Sequence, residues 1–89
     1  MAGDTIDVEA TVRAVLGDVL ALGAERTAAL ESASPLFGAL PELDSMAVAG
    51  LLTELEDRLD IIIEDDEVDG ELLENFGALV AFAEKKTQR

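Results

Sequence analysis

The sequence predicts an all-α fold: a small helical bundle of three longer helices plus one short helix, with a long first loop. Three observations carry this expectation. Apolar residues recur at helical spacing in three separate stretches. A long connection between the first two is punctuated by Pro35, Gly38 and Pro41. With 89 residues and 49% apolar content, the chain can fill one core but not two, so a single domain over residues 1–89 is expected.

Val8, Val12, Val15, Leu16 and Val19 mark the first helix. Asp4 or Thr5 can cap it, Asp7 and Glu9 suit the positive end of its dipole, and Gly23 is a natural stop. The β-branched residues near Thr5 to Val12 would also suit a strand, but the length of the pattern favours a helix. Residues 24–44 form the long connection, with a helical turn near Arg26 to Leu30. Leu36, Phe37, Leu40 and Leu43 predict that it lies over the bundle, and connections of this length are often functional.

The second helix runs from about Ser45 to Leu59, and Val48, Leu51, Leu52, Leu55 and Leu59 form its inward stripe. An advance of roughly 100° per residue puts Met46, Gly50, Thr53 and Asp57 on the other side. Met46 is therefore expected to be an exposed apolar side chain beside Ser45. Gly50 costs a helix about 1 kcal/mol relative to Ala, which suggests a close approach there. Ile61, Ile62 and Ile63 form a short extended link, and a brief helical turn follows near Gly70 to Glu74. Asn75 caps a last helix that turns Phe76, Leu79, Val80 and Ala83 inward and sets Lys85 and Lys86 at its negative end.

Composition excludes several kinds of chemistry. There is no Cys and no His, which removes disulfides, most zinc sites, Ser-His-Asp and Cys-His catalysis and a histidine pH switch. The three aromatic residues are all Phe, so aliphatic packing dominates. The formal net charge of −14 argues against nucleic-acid binding and against an anionic membrane surface. Basic protein surfaces are the expected partners. No charged start followed by an apolar run resembles a signal peptide, and runs such as Ala78 to Ala83 are too short to span a bilayer, so a cytoplasmic location is expected.

Ser45 stands at a helix start, where the commonest role of a serine is to cap the helix. A phosphodiester on its Oγ would also suit that place, because free N–H groups and the helix dipole favour an anion. The surrounding stretch Pro41-Glu42-Leu43-Asp44-Ser45-Met46 resembles the attachment site of the acyl carrier protein family. The similarity takes in the first helix, the punctuated loop, Leu51, Leu52 and Leu55, the acidic pair Glu56-Asp57, the Ile-rich link and the last helix opened by Glu74-Asn75-Phe76.

That resemblance implies a non-catalytic carrier. A phosphopantetheinyl transferase would attach 4′-phosphopantetheine from coenzyme A to Ser45, with Asp44 supporting the attachment. The arm's thiol would carry acyl groups as thioesters, and the acyl chain would fold back against residues such as Val48, Leu52 and Ile63. Acyl-loading and acyl-transfer enzymes with basic docking surfaces would contact Met46, Glu56 and Asp57. A carrier that visits several enzymes is most simply a monomer.

Fatty-acid carriers commonly place acidic residues two and five positions after the modified serine, where this chain has Ala47 and Gly50. A specialised carrier is therefore expected. The run from Phe37 to Val48 also resembles carriers associated with bacterial exopolysaccharide and exosortase gene clusters. Two other readings remain open here: an aminoacyl or peptidyl carrier, and an acidic interaction domain that needs the charge but not Ser45.

From Glu54 to Glu74 the chain holds eleven carboxylates and one base, Arg58. This tract suits both a solvated face and a docking surface for Lys and Arg. Asp65, Glu67, Asp69, Gly70 and Leu72 partly match an EF-hand loop, but Phe76 stands where its bidentate Glu is required, so no metal site is expected. Because like charges this dense repel one another, the melting temperature should rise along a salt series. A flat series would show that the repulsion does not limit stability.

Overall fold

Asp7 opens α1 (Val8–Leu20): its extended backbone enters the helix and its Oδ1 accepts a hydrogen bond from Ala10 N at 3.1 Å. The computed structural model describes residues 7–87, so Asp4 and Thr5, the caps expected from sequence, lie outside the described residues. The cap of α1 is Asp7.

The helix also ends earlier than Gly23. Ala21 turns left-handed at φ 54°, and its N–H and that of Leu22 both reach Gly17 O. Leu22 is buried, so its side chain secures the turn that glycine would ordinarily make. Gly23, at φ 88°, instead leads the chain into α2 (Ala24–Ala28).

With five residues and no buried side chain, α2 cannot be held by its own hydrogen bonds. Arg13 of α1 holds its exit. Arg13 Nη1 donates to Thr27 O and Leu30 O, both at 2.8 Å, and to Ala28 O at 3.3 Å, while Nη2 donates to Glu9 at 3.0 Å. The same guanidinium lies 4.9 Å from the centre of the Phe76 ring, within cation–π range. Gly17 permits the close approach of α2, since a Cβ there would stand 2.5 Å from Thr27 Oγ1. Gly50 does not serve such a purpose: a Cβ there would meet only Val19 Cγ1, at an ordinary 3.8 Å.

The long connection lies over the bundle, as expected. Leu30, Leu36 and Leu43 are buried and Leu40 is partly buried, but Phe37 is 56% exposed. An isolated bridge between Pro35 and Asn75 pins the connection to the start of the last helix. Leu36 N and Phe37 N donate to Glu74 O and Leu73 O, and Phe76 N and Gly77 N donate to Ser34 O and Ser32 O.

Leu51, Leu55 and Leu59 of α3 (Ser45–Leu59) enter the core, while Val48 and Leu52 sit at its edge. Asp60 ends α3 in the left-handed region at φ 55°, and Ile61 N closes the turn on Glu56 O. The Ile61–Ile63 link is extended, with Ile62 70% exposed and its two neighbours packed against the core. Successive side chains of an extended chain alternate in this way.

A 3-10 turn at Asp65–Glu67 precedes the place where a brief helical turn was expected, near Gly70 to Glu74. Glu64 and Glu67 cap it reciprocally, and Lys86 Nζ grips Glu67 at 2.9 and 3.1 Å. Residues 70–73 form a hydrogen-bonded turn, with Asp69 Oδ1 accepting from Glu71 N and Leu72 N. Asn75 Oδ1 then accepts from Ala78 N at 2.7 Å and starts α4 (Phe76–Thr87).

α1 packs mainly on α3 and also meets α4 and α2. Val12, Val15, Leu16, Leu36, Leu51, Leu55, Phe76 and Leu79 form the centre, and no polar side chain is buried among the described residues. Leu20 rather than Val19 completes the inward face of α1. Among the described residues there is no strand, and no helix is long and apolar enough to cross a membrane.

Two substitutions test these contacts. Arg13→Met should lower stability by about 2 kcal/mol in urea unfolding, because it leaves carbonyls at the exit of α2 without their charged donor. Ala21→Gly should raise stability by about 0.5–1 kcal/mol, since a left-handed Ala costs about 1–2 kcal/mol and the freer unfolded chain of Gly returns part of that. An unchanged midpoint in either variant would remove the role assigned to that residue.

Candidate functional site

Ser45 is the first residue of α3, and its side chain is exposed. It does not cap the helix. That place belongs to Asp44, whose extended backbone precedes the helix and whose Oδ1 accepts from Ala47 N at 2.9 Å. Asp44 O also accepts the first helical bond, from Val48 N at 2.9 Å. The bond usually made by a serine at a helix start is thus supplied one residue earlier. Ser45 Oγ has no hydrogen-bond partner among the described residues.

The electrostatics around Ser45 favour an anion. The first N–H groups of a helix have no intrahelical acceptor, and the positive end of the dipole lies there. Within the first turn of α3 there is no acidic residue, and the carboxylate of the Asp44 cap takes one of these groups, Ala47 N–H. Met46, next in sequence, is 85% exposed, as its helical position predicts.

Two recesses meet at Ser45. One, of about 350 Å³, runs past Val48, Leu52, Ile63 and Val68 and includes Glu56 at its edge. The other, of about 400 Å³, lies between Phe37, Val68 and Leu73. The structure therefore brings Val48, Leu52 and Ile63, the expected apolar contacts, to one groove beside Ser45. Phe37 and Val68 were not expected there. Phe37 lies in the long connection, and Val68 follows a turn whose place depends on the reciprocal Glu64–Glu67 cap.

The expected docking residues differ in their surroundings. Asp57 is exposed, whereas Glu56 is partly buried and its Oε2 accepts from Ile63 N at 2.7 Å. Glu56 thus also holds the Ile link in place beside the groove. Arg58 joins Glu54 at 2.8 Å and, across to α1, Asp18 at 2.9 Å.

Just ahead of Ser45, Glu42 accepts a two-pronged hydrogen bond from Arg26 of α2, at 2.6 and 3.0 Å. The bond from Arg26 is the main reason its carboxyl is lowered to about 2. Glu67 is also held below the usual carboxylate range, first by the Glu64 backbone N–H and then by Lys86. The partial EF-hand pattern is not assembled: Glu67 is engaged with Lys86 and Asp69 with the following backbone. Among the described residues no group of three or more potential ligands could hold a metal ion.

Capping by Asp44 gives a direct test. Asp44→Ala should cost about 1 kcal/mol in urea unfolding, as loss of an N-cap does. Ser45→Ala should stay within about 0.5 kcal/mol of the parent, as an exposed side chain without partners does. The reverse order would make Ser45 the cap.

Neither a protein-family model nor a curated protein matches this chain. Among solved structures, the chain is similar to a holo acyl carrier protein from Nitrosomonas europaea determined by solution NMR. The two are 46% identical, the match covers 92% of this chain and 96% of that one, and the TM-score is 0.81. Identity of that extent, over nearly the full length of both chains and with the same helical bundle, places this chain in the acyl carrier protein family.

Proposed function

We propose that Ser45 is the attachment point of 4′-phosphopantetheine, delivered from coenzyme A by a phosphopantetheinyl transferase. The observation that carries this reading is the hydroxyl itself: exposed at the start of α3 and relieved of capping by Asp44. As in other acyl carrier proteins, the role is to carry rather than to catalyse. When bound, the group supplies the terminal thiol on which an acyl chain travels as a thioester, a function the chain's own residues cannot supply because it has no Cys.

The protein's residues do the rest. Ser45 Oγ takes the phosphate ester, and the positive end of α3 favours its charge. Asp44 keeps the helix start formed and supports the attachment. Val48, Leu52 and Ile63 offer an apolar groove to an acyl chain. Met46, Glu56 and Asp57 form the docking face for the transferase and for acyl-loading and acyl-transfer enzymes with basic surfaces. A cytoplasmic monomer, folded as one domain, fits this role.

The face beside Ser45 also supports a specialised pathway over housekeeping fatty-acid synthesis. From Ser45 to Thr53 the helix carries no charge, and its acids begin at Glu54. Enzymes that grip a carrier through carboxylates near the modified serine would find Ala47 and Gly50 there instead.

Incubation with coenzyme A and a broad-specificity transferase should add one phosphopantetheine to the native chain and none to Ser45→Ala, read by intact mass. No gain in the folded native chain would return Ser45 to an ordinary surface residue. The gene should fail to rescue growth fully in a strain lacking its fatty-acid carrier, and full rescue would overturn the specialised role.

A further inference from the structure

The turn before Ser45 is fastened at three points. Leu43 is buried in the core, Leu43 N donates to Leu40 O at 3.0 Å, and Asp44 N donates to Glu42 O at 3.2 Å. Beyond the core, one side-chain contact among the described residues ties this turn to another helix: both terminal nitrogens of Arg26 on both oxygens of Glu42. A guanidinium and a carboxylate in this fork fix orientation as well as distance, which a lysine could not do. Arg26 is itself placed by α2, whose exit is held by Arg13. An unbroken line of contacts thus runs from α1 through α2 to the residue three positions before Ser45.

We infer that Arg26 is a positioning residue for the modification of Ser45: its clasp on Glu42 fixes the turn that presents Ser45 Oγ to the transferase. This rests on the reading of Ser45 as the attachment point. Both partners are substantially solvated, with side-chain exposures of 49% and 33%, so the pair adds little to global stability. What it fixes is local, the path of the backbone into Asp44 and Ser45. Group transfer is sensitive to such placement, because the attacking oxygen must lie within a narrow range of distance and angle.

The competing explanation is charge. Glu42 could attract a basic transferase, and Arg26 could hinder it. Two neutralising substitutions separate these ideas, because both break the clasp while changing the net charge in opposite directions. Arg26→Gln makes the face more negative and Glu42→Gln makes it less negative.

If the clasp positions Ser45, both variants should lose about three- to tenfold in kcat/KM for phosphopantetheine transfer, mainly in kcat. The charge-swapped double variant Arg26→Glu/Glu42→Arg should recover most of the rate. Melting temperatures should be nearly unchanged. Amide hydrogen exchange at Leu43 and Asp44 in the unmodified protein should be faster in both single variants and slow again in the swap.

Single variants that move in opposite directions would assign the effect to charge and overturn the inference. Unchanged rates in both, or a swap that restores nothing, would also overturn it. Normal modification of the parent beside unaffected variants would remove the role of Arg26 alone. A parent that takes no phosphopantetheine would remove the reading of Ser45 and the inference with it.

Discussion

The Arg13 guanidinium is the contact on which the upper half of the molecule depends. The five residues of α2 bury nothing, and most of the connection after it has no regular structure. Left to themselves, these residues would not repay the entropy of ordering them. Arg13 supplies a charged donor to three carbonyls around the exit of α2, where the helix dipole is negative and a cation is most favourable. Through Leu30 O it also places Leu30, the first side chain of the connection to enter the core. Because the same group lies over Phe76, the exit of α2 and the entrance of α4 share one anchor.

Cations are scarce in a chain of net charge −14, and the structure uses them to join elements. Arg26 links α2 to the turn before α3, Arg58 links α3 to α1, and Lys86 links α4 to the 3-10 turn. Exposed pairs of this kind add little stability singly. Their arrangement has a clearer effect on the surface, because it neutralises particular carboxylates. Asp57 and Asp60 at the far end of α3 stay exposed, whereas Glu42 near Ser45 is paired. On α3 itself the carboxylates available to a basic partner therefore begin at Glu54, away from Ser45, while Asp44 stands beside it as the cap.

The parts legible in the sequence were those governed by regular periodicity. The leucines of α3, the inward face of α4 and the exposure of Met46 follow from helical spacing alone. Asn75 follows from capping chemistry. Other features depended on contacts distant in sequence. Gly23 looked like the stop of α1, but burial of Leu22 draws Ala21 into the left-handed turn two residues earlier. A turn does form near Gly70, but the 3-10 turn before it at Asp65–Glu67, where two glutamates cap each other and Lys86 secures one of them, had no signal in the spacing. Gly50 looked like a point of close approach, whereas Gly17 is the glycine that faces a helix crossing too near for a side chain. At the candidate site, Ser45 and the groove residues Val48, Leu52 and Ile63 were expected. The Arg26–Glu42 clasp spans sixteen residues and has no local spacing that would reveal it.

The cap made by Asp44 bears on the order of events during maturation. Every hydrogen bond that starts α3 is made by groups other than the Ser45 hydroxyl, so a substituent on that oxygen takes nothing from the helix. On the role proposed for Ser45, the native scaffold needs no substituent on that oxygen to start α3, and the same helix start serves before and after modification. A transferase would thus meet a finished surface rather than a chain still folding, and recognition could rely on shape.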